Sequence, residues 1–190
     1  MFSNRVMPAS RPEYKQTIEF LSLPEDRNDP LAFLARSGGA KVTDNFEVFC
    51  YPKTENGTFH LHFFAHGLRY LPQCSIERIS EMKREDRIFL AHDFQNPFES
   101  DALLLRTRDN LIVGYCPSYL LDDMNEMRRY KGIEVCVERV NDESAPLQFR
   151  LLCRLIFPQM QNHRPFSSGN YAPVAAEIGS TIADLHVTFA

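Results

Sequence analysis

Asn56-Gly57 lies between two runs crowded with aromatic residues, 46–51 and 58–64, and constrains this chain more than any other feature. Asn-Gly supplies the positive φ angles that a two-residue turn needs, and the twist of that turn suits the strands of a β-hairpin. The pattern predicts a hairpin with strands over 46–51 and 58–64 on either side of residues 54–57. Short apolar runs recur downstream. Ile76, Ile79 and Met82 have helical spacing, and residues 88–92, 102–107 and 111–116 read as strands, separated by a loop of turn formers at 93–101 and a turn at 108–110. Pro117-Ser118 opens a helix over 119–130 that Gly132 ends. Residues 133–140 and 148–157 alternate apolar and charged side chains across a turn at 141–146. Many short strands with a few helices predict a mainly β, α+β fold built around a barrel.

The two ends of the chain are less regular. Residues 18–23 read as a short strand, and Asp29-Pro30 as the N-cap and first residue of a helix through Arg36, stopped by Gly38-Gly39. Residues 159–171 lose periodicity and read as a loop or tail, while 181–189 suit either one more strand or a packing arm.

Several function classes are excluded by what is missing. No run approaches the 18 or so apolar residues of a membrane span, and residues 1–11 contain no stretch of signal-peptide length. The expectation is a soluble cytoplasmic protein with no membrane partner. Five widely spaced cysteines with no C-x-x-C pair read as free thiols, mostly buried. A net charge of −4 argues against a protein that coats duplex DNA, since such binding comes largely from Lys and Arg neutralising phosphates. The charge is uneven, however: residues 64–127 hold 7 basic and 11 acidic side chains, residues 128–164 hold 7 and 4, and a local positive face is expected in the second segment. No Walker loop, G-x-S-x-G or H-E-x-x-H occurs, and nothing suggests an enzyme. His60 and His62 share one face of a strand, with His66 nearby, but no Cys, Asp or Glu flanks them at ligand spacing. They read as a polar outward face, with neither metal nor other cofactor, and Asp122, Asp123 and Glu126 as a solvated helix face.

Two motifs remain. Gly67-Leu68-Arg69-Tyr70 comes first, and Asn96-Pro97-Phe98-Glu99-Ser100-Asp101-Ala102-Leu103 leads through a strand to Val113-Gly114-Tyr115-Cys116-Pro117. An exposed Tyr offers a flat face worth about 1–3 kcal/mol per stacked base, and a neighbouring Arg can grip phosphate. A carboxylate repels phosphate but accepts a hydrogen bond from a free 3′ hydroxyl. The order and spacing of these segments over residues 64–157 resemble the HIRAN domain, whose members carry an Arg-aromatic segment, an N-P-Y-D-x-N-A-[IV] loop and a [VI]-G-[YH]-[IVL] strand before a helix. The resemblance implies an OB-like barrel that captures the 3′ end of single-stranded DNA. By position it implies nucleic-acid-binding roles for Arg69, Tyr70, Asn96, Phe98, Glu99, Asp101 and Tyr115. Phe98 stands where the pattern has Tyr, Glu99 where it has Asp, Asp101 where it has Asn, and Leu71 where a second aromatic often follows.

On this reading residues 1–63 form an N-terminal extension, a short helix plus the hairpin, that covers the barrel or mediates self-association as a homodimer. Residues 64–157 form the barrel and 158–190 a C-terminal loop or tail. The functional expectation is single-stranded DNA binding at a 3′ end, in DNA repair or defence against foreign DNA. The alternative is a protein-interaction or regulatory subunit that recruits a separate helicase or nuclease. A metal-dependent nuclease using the histidine strand is a distant third.

Overall fold

Asn56 and Gly57 both adopt positive φ, 50° and 74°. A turn of that kind joins directly adjacent residues, so the partner of β3 (Thr58–Phe64) is β2 (Lys53–Glu55), with Glu55 facing Thr58. The aromatic run at 46–51 is therefore displaced from the hairpin. Its strand shrinks to β1 (Phe46–Glu47).

A computed structural model describes residues 5–24, 29–39, 46–129, 132–159, 163–171 and 188–189. The chain forms two units, one of Pro52–His163 and one of Met1–Tyr51 with Arg164–Ala190. The first unit begins twelve residues before the boundary expected at residue 64, because the hairpin is not an extension lying on the sheet but part of it: β3 pairs along its whole length with β8 (Leu151–Pro158).

Within that unit one antiparallel sheet runs β2-β3-β8-β7-β4-β5-β6, with β4 at Arg87–His92, β5 at Leu103–Arg106, β6 at Ile112–Tyr115 and β7 at Glu134–Val140. Alternation places Phe59, Leu61 and Phe63 of β3 and Leu151, Cys153, Leu155 and Phe157 of β8 in the core, with His60 and His62 on the opposite face. Helix α3 (Gln73–Glu81) contributes Ile79 to the core, and α4 (Leu121–Met127) contributes Met124 and Met127. The fold is mixed α+β with strands dominant. The sheet is not closed. Among the described residues its two ends meet only where His66, just past β3, and Tyr115 of β6 exchange two backbone hydrogen bonds of 2.9 Å.

Besides the shortened 46–51 strand, the other unit departs from the sequence pattern in a second element. Residues 18–23 do not form a strand; α1 spans Tyr14–Phe20. Started four residues earlier, the segment places Tyr14, Thr17, Ile18 and Leu21 at i, i+3, i+4 and i+7, a helical stripe that a six-residue window does not reveal. Tyr14 stacks on Phe33 of α2 (Pro30–Ser37), centroids 6.4 Å apart. Helix α2 starts as expected, with the Asp29 carboxylate accepting from the Leu31 N–H at 2.9 Å and Pro30 in the first turn. β1 pairs with β9 (Thr188–Phe189), so the end of the expected 181–189 segment is a strand, and residues 181–187 lie outside the described residues.

Candidate nucleic-acid interface

The point where the sheet ends meet also organises the two motifs. Gly114 has φ 144°, and a Cβ there would stand 2.8 Å from the Ala65 Cβ and 3.1 Å from the His66 carbonyl oxygen. Gly67, at φ 75°, leaves no room either, since a Cβ would lie 2.8 Å from Cδ2 of Tyr115. Two glycines thus let the backbone after β3 cross β6 at contact distance. Partial desolvation lowers the pKa of the His66 imidazole, although the residue is solvent-exposed, while its backbone forms the bridge.

After Gly67 the chain makes one 3-10 turn, Leu68–Tyr70. Leu68 is buried and anchors it, while Arg69 and Tyr70 face solvent, Tyr70 with 72% of its surface exposed. The guanidinium of Arg69 lies over the Tyr70 ring, 4.6 Å from the centroid, and donates to the Tyr70 hydroxyl. This is a bare aromatic face joined to a positive charge.

Tyr115 links that turn to the second motif. Its ring abuts Gly67, and its hydroxyl donates to Oδ2 of Asp93 at 3.2 Å. Burial first, and the Asp93 carboxylate second, push the Tyr115 pKa up, which keeps the hydroxyl a donor. Asp93 Oδ2 also receives the Asn96 amide at 3.4 Å, and Asp93 Oδ1 accepts from the Gln95 N–H at 3.2 Å. The side-chain Oδ1 of Asn96 accepts from the N–H groups of Phe98 and Glu99, both at 3.0 Å. Asn96 is thus turned inward on its own loop, an Asx turn. The Glu99 carboxylate accepts from the Asp101 N–H at 3.4 Å, and Asn125 of α4 donates to the Asp101 carbonyl at 3.2 Å.

This pinned loop displays its aromatic residues outward. Phe98 is 95% exposed and Phe94 88% exposed. Phe94 stacks on His92 with centroids 4.4 Å apart, and His92 Nε2 lies 3.8 Å from Oδ1 of Asp101. Loop formation accounts for Asn96, but not for the exposure of two phenyl rings.

Of the sequence-predicted residues, Arg69 and Tyr70 stand on one turn, and Asn96, Phe98, Glu99 and Asp101 on one loop. Tyr115 touches the first and, through Asp93, the second. Asp93, His92 and Phe94 were not predicted. Asp93 had a signal in the Asp-x-x-Asn spacing that makes nested turns. Phe94 had one too, as an aromatic residue set among turn formers with no core partner in the pattern.

Other expected features change in three dimensions. Two arginines of the segment 128–164 are engaged within the fold: Arg154 bonds both carboxylate oxygens of Glu85 at 2.8 and 2.6 Å and lies 3.3 Å from Glu138, while buried Arg150 donates to the carbonyls of Glu143 and Ala145. Asp123 does not belong to a solvated face. It is buried, 3.4 Å from Nε2 of His163, whose Nδ1 lies 3.4 Å from Glu126. Cys116, Cys136 and Cys153 are buried free thiols, and Cys50 and Cys74 are exposed ones. His62 faces Glu138 at 3.7 Å, and among the described residues no group of three His, Cys, Asp or Glu could hold a metal ion. Nor is any described helix long and apolar enough to cross a membrane.

The antiparallel sheet thus carries exposed aromatic rings and an arginine on the turn and loop beside the point where its ends meet. The HIRAN domain family matches the chain over residues 58–158, and the chain belongs to that family, a family of DNA-binding domains. The chain is similar to the crystal structure of the HIRAN domain of human HLTF, with 18% identity, 55% of this chain and 81% of that one covered, and a TM-score of 0.40. It is also similar to the crystal structure of a protein from Lactobacillus plantarum, with 14% identity, 53% and 97% covered, and a TM-score of 0.41. No curated protein matches it.

Proposed function

We propose that this chain is a non-enzymatic binding protein for single-stranded DNA that takes hold of a 3′ strand end, in DNA repair or in defence against foreign DNA. The observation that carries this reading is the bare Tyr70 ring with Arg69 across it, joined through Tyr115 and Asp93 to a pinned loop that exposes Phe98. Exposed rings stack on unpaired bases and find no such face in a duplex, whose bases already stack on one another. The carboxylates of Glu99 and Asp101 disfavour a phosphate close to them and can accept from a terminal hydroxyl. The test is a titration of labelled single strands ending in 3′ hydroxyl or 3′ phosphate, alongside blunt duplex. Tightest binding of the hydroxyl strand is the expected result, and equal or absent binding of all three at low salt would remove the DNA-end reading.

A second reading, a regulatory subunit that recruits a separate helicase or nuclease, draws on the net charge of −4 and on Asp93, Glu99 and Asp101 standing together on the loop. Phe94 and Phe98 would then be protein-contact residues. Salt dependence separates the two, because phosphate binding releases counterions and weakens steeply with salt.

A further inference from the structure

The outward face of β4, β5 and β6 is joined to the Tyr115 site by the strand register itself. Ala91, Leu104 and Tyr115 form one row across the three strands, and Phe89, Arg106 and Ile112 form the next. All six are half-exposed, whereas Ile88, Leu103, Leu105 and Val113 from the same strands are buried. The two rows are two residues apart on β5, about 6–7 Å, which is about the length of one extended nucleotide.

Two arginines converge on the second row. Arg106 lies 5.2 Å and Arg87 5.7 Å from the centroid of the Phe89 ring. Among the described residues neither forms an ion pair with a carboxylate, unlike Arg78, Arg84 and Arg154, each of which has an acidic partner. Arg106 gives one nitrogen to Asn110 Oδ1 at 2.8 Å and to the Thr107 carbonyl at 3.2 Å. These two bonds orient the guanidinium and leave donors of its other nitrogens available. Asp109 pairs with Arg78 at 3.4 Å. Two charges of one sign held over one ring are best relieved by an anion, and phosphate suits the planar guanidinium fork.

We propose that this face is a track for the nucleotides preceding the captured end, with Arg87 and Arg106 binding internucleotide phosphates and Ala91 and Leu104 forming an apolar floor. The inference rests on the single-strand reading above and extends it from an end pocket to a longer site. It is tested with 3′-hydroxyl strands of two, four and eight nucleotides, measured for the unaltered protein and for Arg87→Gln, Arg106→Gln and the double variant, with circular dichroism to check folding.

The expected result is about a tenfold gain in affinity from two to eight nucleotides, lost in the double variant while dinucleotide binding is unchanged, and a salt slope reduced by about 0.7 for each arginine removed. Arg87→Lys and Arg106→Lys should restore part of the gain, since they return the charge. Absence of a length gain in the unaltered protein, or a folded double variant that keeps it, would overturn the track and leave the end reading intact. A folded double variant that loses the dinucleotide as well would also overturn it, because the arginines would then belong to the end pocket. Should the unaltered protein bind none of the strands, the single-strand reading itself fails.

Discussion

Tyr70 and Arg69 contribute by being exposed, and the size of their effect follows from stacking. Tyr70→Ala should weaken single-strand binding by about 1–3 kcal/mol without changing the unfolding midpoint, because 72% of its surface is already in solvent. A fluorescence titration in which that variant binds normally would make the ring an idle surface. Gly114 is the opposite case, since its value is the space it leaves. Gly114→Ala places a methyl group 2.8 Å from Ala65 at a φ that L residues rarely adopt, and should cost about 1–3 kcal/mol in urea unfolding. An unchanged midpoint would mean that the crossing is looser than the contact distance. Glu99 and Asp101 decide between end capture and general strand binding. Glu99→Gln or Asp101→Asn should shrink the preference for 3′-hydroxyl over 3′-phosphate strands, and if the unaltered protein shows no such preference, neither acid reads the end.

At the scale of elements, the loop between β4 and β5 is a small folded device whose parts were visible in the sequence as types but not as contacts. Asn, Pro and Asp at 93–101 announce a turn-rich loop. They do not announce that Asn96 satisfies the N–H groups of Phe98 and Glu99 while Asp93 joins Asn96 to Tyr115. Removing the acceptor in Asn96→Ala should cost about 1 kcal/mol of stability, speed amide exchange at Phe98 and Glu99, and weaken binding by releasing the Phe98 ring. Asn96→Asp keeps an acceptor and should retain the protection; equal exchange in both variants and the unaltered protein would show that the loop is held by its anchor from Asn125 instead. The hairpin illustrates a local signal that was read correctly in kind and displaced in register. A two-residue turn can only join its immediate neighbours, so β3 takes 53–55 as partner rather than the aromatic run before it.

For the whole molecule the question is how a chain of net charge −4 would hold a polyanion. The pairing of its arginines supplies the answer. Arg154 is tied to Glu85 and Glu138 on the strand face of β7 and β8, whereas Arg69, Arg87 and Arg106 have no acidic partner among the described residues. Binding should therefore be local and salt-dependent, with a slope of log K against log salt no steeper than about −2 to −3, as three phosphate contacts on a single strand imply. Blunt duplex should compete poorly at any salt. A slope several times larger, with duplex binding equal to single strand, would indicate a broad electrostatic surface that the arrangement of these arginines does not provide.

What the sequence alone determined is what depends on near neighbours. Alternation set the faces of β3 and β8, Asn56-Gly57 set a turn, Asp29-Pro30 set a helix start, and the two motifs marked Arg69, Tyr70 and the loop at Asn96 as one constellation. Tertiary structure decided what depends on residues far apart in the chain. It made α1 a helix by giving Ile18 and Leu21 a common buried face, set the unit boundary at Pro52 by pairing β3 with β8, and neutralised Arg154 with an acid 69 positions away. It also brought Gly67 against Tyr115. That contact exists only because the backbone after β3 crosses β6, and its cause lies in the order of seven strands rather than in any window of sequence.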